Sequence, residues 1–140
     1  MVEVIGAKDY EEGLDLYRAA ALRFPDVAVF HQGIGCCAGN RGLHEEAIEA
    51  SKRALALEPD NQKLVNDLGW SLLEAGRLAE AEQMIARAVE MDAADGLARN
   101  NLRTCRSKLR RQAAPPSRRK HREAPPKRAA APAPPRTEAR

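Results

Sequence analysis

Apolar residues return along this chain every three or four positions, in short blocks separated by polar turns. Ala81, Met84, Ile85, Ala88 and Val89 fall on one helical face, as do Ala54, Leu55 and Leu57 in an earlier block, and such stripes mark helices that bury one side. Gly42 and Gly76 stand where a helix must stop within one residue, the place of a left-handed C-cap. Pro59-Asp60-Asn61 blocks one helix and opens the next. The pattern predicts helices near residues 9–23, 28–40, 44–57, 62–75, 78–91 and 96–111. Their short connections make neighbours antiparallel. The expected fold class is all-α.

Superposing residues 28–61 on 62–95 exposes an internal repeat with a period of 34. Ile34-Gly35 falls on Leu68-Gly69, Gly42 on Gly76, Glu46-Ala47 on Glu80-Ala81, and Arg53-Ala54-Leu55 on Arg87-Ala88-Val89. One period earlier, Leu14, Tyr17, Ala20 and Pro25 align with Ile48, Ser51, Ala54 and Pro59. The first halves of the copies read His31-x2-Ile34-Gly35-x2-Ala38 and Val65-x2-Leu68-Gly69-x2-Leu72. The second halves read Ala47-x3-Ser51-x2-Ala54 and Ala81-x3-Ile85-x2-Ala88. These residues resemble the tetratricopeptide repeat. The resemblance covers residues 1–112 and implies a right-handed α-solenoid: a half-repeat (1–27), two full repeats (28–61 and 62–95) and a capping helix (96–112).

The cap is a partial third copy, Arg99-x2-Leu102-Arg103-x2-Arg106, with an apolar face of Ala98, Leu102, Cys105 and Leu109 opposite a basic one. A terminal helix with no repeat to follow it needs such a polar outer face. At the other end, Met1–Ala7 matches only the last part of a first helix, with Val4 and Ala7 in the places of Leu72 and Ala75. The stripe of Tyr17 and Ala20 then lacks its cover. Two explanations stand: a longer array that begins upstream, or self-association through the incomplete repeat. Gly35 and Gly69 lie inside helices, where a close helix–helix approach would justify them, with Ala47 and Ala81 expected opposite.

By resemblance, a partner lies along the concave side, against the first helix of each repeat. The positions that carry ligand contacts in the family are Val29, Gln32, Gly33, Cys36, Gly39 and Asn40 in one copy. In the next they are Lys63, Asn66, Asp67, Trp70, Leu73 and Glu74; in the cap, Leu97, Asn100, Asn101, Thr104, Ser107 and Lys108. Trp70 offers a broad flat surface and one donor, the makings of an interface anchor, although a Trp packed between repeats would need no partner. Asn66, Asn100 and Asn101 suit an extended peptide backbone, or plain solvation. Some family members hold a chaperone's C-terminal carboxylates with Lys, Asn, Asn, Lys and Arg. Those positions here are Gln32, Cys36, Asp67, Leu97 and Asn101, so that mode is not expected.

The net charge of +3 conceals −9 over residues 1–95 and +12 over 96–140. From Ala113 the chain turns rich in Pro, Ala, Arg and Lys, with almost nothing to bury, a composition expected to be disordered. Arg118, Arg119, Lys120 and Arg122, then Lys127 and Arg128, form its basic runs. They fit a solubilising extension, a contact with nucleic acid or an anionic membrane, or an intramolecular contact with the acidic body.

Catalytic and metal-binding patterns were sought among the remaining residues. His31, His44 and His121 do not cluster with cysteines at ligand spacing, and Cys37 and Cys105 share one small inward-facing repeat position. Glu45-Glu46, Glu11-Glu12 and Glu80 sit at helix starts, where they offset the dipole. No phosphate-binding glycine loop or nucleophile elbow is present. No apolar run reaches membrane-spanning length, and three cysteines make no disulfide framework, which fits a reducing cytoplasm. The expectation is a non-enzymatic protein-binding scaffold without cofactor or metal.

Overall fold

The computed structural model describes residues 7–114 of the chain. The expectations placed on Val4 and on the basic runs from Arg118 to Arg128 lie outside the described residues. Six helices follow one another: α1 (Ala7–Arg23), α2 (Ala28–Asn40), α3 (His44–Leu57), α4 (Gln62–Glu74), α5 (Leu78–Met91) and α6 (Gly96–Ala113). They match the six expected helices, with ends shifted by two residues at most.

The turns form as the residue types require. Gly42 and Gly76 adopt φ of 76° and 81°, the left-handed region in which a Cβ is strained. In each turn the next residue closes back on its helix, Leu43 N to Ala38 O at 2.9 Å and Arg77 N to Leu72 O at 2.9 Å. Asn61 caps α4 through Lys63 N. Asp95 caps α6 by accepting from Leu97 N at 2.9 Å and Ala98 N at 3.3 Å. Arg110 and Arg111 favour the end of α6, which runs past the expected boundary.

Each helix packs on its chain neighbours. In addition the backbones of α2 and α4, and of α4 and α6, approach each other closely, whereas those of α1, α3 and α5 do not. The stack is therefore narrower on the side of α2, α4 and α6, which makes that side concave. Ile48, Leu68, Leu72, Leu73, Leu78, Ala81, Ile85 and Cys105 fill the core between the second repeat and its neighbours. Leu14, Ala21, Ile34, Cys37, Ala38, Ala47 and Ala50 fill the core beneath α1. Of the stripe Ala54, Leu55 and Leu57, Ala54 is fully buried but Leu57 is exposed. It stands at the last turn of α3, beyond the reach of the next helix, and Met91 repeats this on α5.

The helical glycines mark close approaches, but not all of them to the expected partners. A Cβ on Gly69 would overlap Ile85 Cγ1, and one on Gly35 would stand 2.9 Å from Ser51 Oγ, so the opposing residues are Ile85 and Ser51. Ala47 instead faces Gly39, at 4.0 Å from a Cβ built there, and offers Gly35 only its carbonyl. His31 does occupy a core position: it is 5 % exposed, and its Nε2–H donates to the Pro25 carbonyl at 2.7 Å. Arg18 of α1 grips Glu46 of α3 through two hydrogen bonds, at 2.6 and 2.7 Å. This pair holds Glu46 below its ordinary pKa by direct hydrogen bonding.

Candidate functional site

The concave face carries a cleft of about 520 Å³ between α1, α2 and α4. Tyr17 reaches it from α1. Val29, Gln32, Gly33, Cys36, Gly39 and Asn40 line it from α2, and Leu64, Asp67, Trp70 and Glu74 from α4. Gly33 allows the Tyr17 ring to lie directly against α2, since a Cβ there would occupy the ring's space. At the floor, Ser51 and Ser71 hydroxyls meet at 3.3 Å, both buried. Trp70 is 39 % exposed, so its indole is partly held by the stack and partly offered to the cleft.

Asp67, Trp70 and Glu74 are spaced three and four residues apart on α4, which puts them on one face. A carboxylate thus flanks the indole on either side. Asp67 accepts from Gln32 Nε2 at 3.0 Å. Burial nevertheless pushes its pKa above the ordinary carboxylate value, against the lowering effect of Gln32 and Lys63. Cys36 is exposed, but its thiol is raised by burial of the sulfur and then by the negative field of Asp67 and Glu74. A thiol held protonated in this way is a poor nucleophile.

Several family-derived positions spend their side chains on the scaffold. Leu73 is 2 % exposed and belongs to the core, because the twist of α4 turns it toward α5. Asn66 and Asn101 are also buried, and Asn101 Nδ2 donates to Asn66 Oδ1 at 3.3 Å. This bond joins the second repeat to the cap at the same two repeat positions through which Gln32 joins Asp67. Asn40 turns its amide onto its own helix, donating to Cys36 O at 2.8 Å. Lys63 and Asn100 remain exposed.

A second cleft of about 490 Å³ adjoins the first through Gln32 and Asp67 and continues past Lys63, Asn66, Asp92, Asp95 and Leu97. Asp92 and Asp95 come from the turn between α5 and α6 and were not among the expected contacts. Tyr17 was also missed, because its helix precedes the first full repeat. The period aligns it with Ser51, which lines the same cleft, and that was the available signal. The basic residues Arg99, Arg103, Arg106 and Arg110 gather around Leu102 on α6, at a separate cleft.

Among the described residues, no group of three or more His, Cys, Asp or Glu side chains is placed to hold a metal ion. No described helix is long and apolar enough to cross a membrane. The helix pairs, repeated hydrogen bonds and exposed concave face define an α-solenoid built to present a surface.

A sequence profile described as tetratricopeptide repeat matches residues 41–104. The small glutamine-rich tetratricopeptide repeat-containing protein 2 of Mycosarcoma maydis is 26 % identical over 107 residues, which are 76 % of this chain and 30 % of that protein. The chain spans less than a third of the length of the curated relatives it matches. The Sgt2 tetratricopeptide domain of Aspergillus fumigatus superposes with a TM-score of 0.69 at 23 % identity, covering 78 % of this chain and 76 % of that one. The first such domain of Spaghetti (RPAP3), solved with the HSP90 peptide SRMEEVD, superposes at 0.67 with 22 % identity, covering 73 % and 83 %. Residues 41–104 thus match the tetratricopeptide-repeat family, and the fold of the described residues is that of tetratricopeptide-repeat domains.

Proposed function

We propose that this chain is a non-enzymatic interaction scaffold of the cytoplasm that holds a peptide segment of a protein partner in the cleft around Trp70. The observation that carries the reading is the half-exposed indole at the centre of a cleft walled by two helices and by Tyr17. Such a Trp presents large area at low conformational cost, which suits a binding hot spot. The HSP90 peptide bound by the RPAP3 domain supports the fold as one that takes peptides. It does not support the same ligand here, because the position expected to be an amide is Asp67, and Leu97 and Asn101 stand in place of cations.

The test is a selection of displayed peptides on the full chain, followed by titration of the selected sequences against the wild type and Trp70→Ala. Loss of a hot-spot Trp should weaken binding by about 30-fold or more. Selected peptides that bind Trp70→Ala as tightly as wild type would refute the reading. If capture instead depends on Arg118, Arg119, Lys120 and Arg122, tethering through the basic runs replaces it.

A further inference from the structure

The walls of the cleft carry Asp67 and Glu74 and no Lys or Arg. An indole between two carboxylates is a good receptor for a cationic side chain. The ring attracts the charge, its face covers the aliphatic stem, and the carboxylates accept from the head. Burial leaves Asp67 a poorly solvated anion with one hydrogen bond from a neutral amide, so an arriving cation would relieve it. The same field opposes an acidic peptide.

The chain carries a matching segment. Residues 115–140 contain eight Lys/Arg against two Glu, with four of the cations in Arg118-Arg119-Lys120-x-Arg122. It also starts at the right end of the cleft. Helices α2, α4 and α6 are parallel, and α6 begins one repeat after α4 but runs five residues further in repeat register. Ala114 therefore lies about 8 Å beyond the level of Glu74 along the axes, and one interhelix spacing of about 10 Å to the side. Trp70 is one further turn down, which puts the whole path on the order of 20 Å. The four to eight residues from Ala114 to Arg118 and Arg122 span up to about 14–28 Å. The basic face of α6, at Arg99, Arg103, Arg106 and Arg110, repels the segment from the opposite side.

We propose that the Asp67–Trp70–Glu74 stripe is a receptor for a cationic side chain, and that in the full chain its occupant is the Arg118–Arg122 run of the same molecule. This rests on the cleft being the binding site. It makes the cleft self-covered, so that an incoming peptide must displace the run. Tethering sets an effective concentration of about millimolar, so even a weak contact stays closed.

Trp70 is the chain's only tryptophan, so its fluorescence reads the cleft directly. The test compares acrylamide quenching of the full chain with that of a quadruple variant, Arg118→Gln, Arg119→Gln, Lys120→Gln and Arg122→Gln. The quenching constant should rise by about twofold in the variant if the cleft is closed most of the time. Molar salt should open the wild type to the same level and leave the variant unchanged. Glu74→Gln should reproduce the rise, and Glu49→Gln, on the convex side, should not. Equal quenching of wild type and quadruple variant overturns the proposal, as does an equal response to Glu49→Gln. A wild-type value that rises on dilution also overturns it, by assigning the contact to a second copy. Loss of this effect alongside a retained Trp70→Ala defect toward selected peptides removes the self-contact and leaves the cleft reading standing.

Discussion

Gly69→Ala and Gly39→Ala make the same chemical change inside equivalent helices, and the structure gives them opposite signs. Alanine in a helix interior is favoured over glycine by about 1 kcal/mol. At Gly39 the new methyl would stand 3.5 Å from Glu74 Oε2 and 4.0 Å from Ala47 Cβ, which are ordinary contacts. Nothing has to move, so the gain should be up to about 1 kcal/mol. At Gly69 the methyl would overlap Ile85 Cγ1 and stand 3.2 Å from Ile85 N. Ile85 is fully buried, and a β-branched side chain in a helix has one strongly favoured χ1. Neither it nor the backbone of α5 can yield cheaply. Overpacking of a filled core costs about 1–3 kcal/mol. With the backbone involved, the upper part of that range applies, and the net loss should be about 1–2 kcal/mol after the helix gain. Urea unfolding followed by far-ultraviolet circular dichroism measures both, and with a shared slope the midpoints report the difference directly. In an Ile85→Ala background most of the penalty of Gly69→Ala should go, leaving the 3.2 Å approach to the backbone N of residue 85. A Gly69→Ala variant as stable as wild type, or a penalty undiminished without the Ile85 side chain, would refute the packing argument.

Two further outcomes follow from the same structure. Gly33, Gly35 and Gly39 burden α2 with about 2.5–3 kcal/mol of unfavourable propensity, so its amides should exchange faster than those of α4 under native conditions; equal or greater protection of α2 would contradict this. Asp67 has its pKa raised in the fold by burial, so the folded chain takes up this proton before the unfolded one, and stability from this group rises as pH falls through the raised value. Asp67→Asn, which can still accept from Gln32, should therefore be more stable than wild type at neutral pH and lose that advantage on acidification. Parallel pH–stability curves for the two would sink the assignment.

The fold was legible because its controlling residues are local and recur. Gly42 and Gly76 dictate the same turn, and the stripes that hold Ala54 and Ala88 dictate the same buried face. Side-chain direction within a helix was harder to read. The family-derived positions put both Leu73 and Glu74 on the concave face, yet only Glu74 lines the cleft. One residue is about 100° of rotation on a helix, and a position-by-position transfer has no information on how each helix is turned in this stack. Asn66 and Asn101 show a second limit. As single residues they look like open hydrogen-bonding groups, and only their spatial pairing shows that their capacity is spent on each other. Asp92 and Asp95 lie in a turn outside the first helices, so a rule confined to those helices misses them.

These hydrogen bonds also limit how far likeness of fold extends to likeness of ligand. The Gln32–Asp67 and Asn66–Asn101 pairs join successive repeats at the same two positions, so these side chains are committed to holding the stack together. Gln32, Asp67 and Asn101 are also positions at which the resemblance implies a carboxylate-binding set in some family members. Here the second junction is a neutral, buried amide pair, and the first places a desolvated carboxylate where an anion-binding amide would be needed. The surface proposed for recognition is the stretch of α2 and α4 around Trp70, closed on one side by Tyr17 and bordered by Glu74. A peptide that ends in acidic residues would bring like charge to that border, whereas a cation would find two acceptors and an indole. The fold is thus shared with a domain solved with the acidic peptide SRMEEVD, whereas the two carboxylates of the proposed site favour a cation.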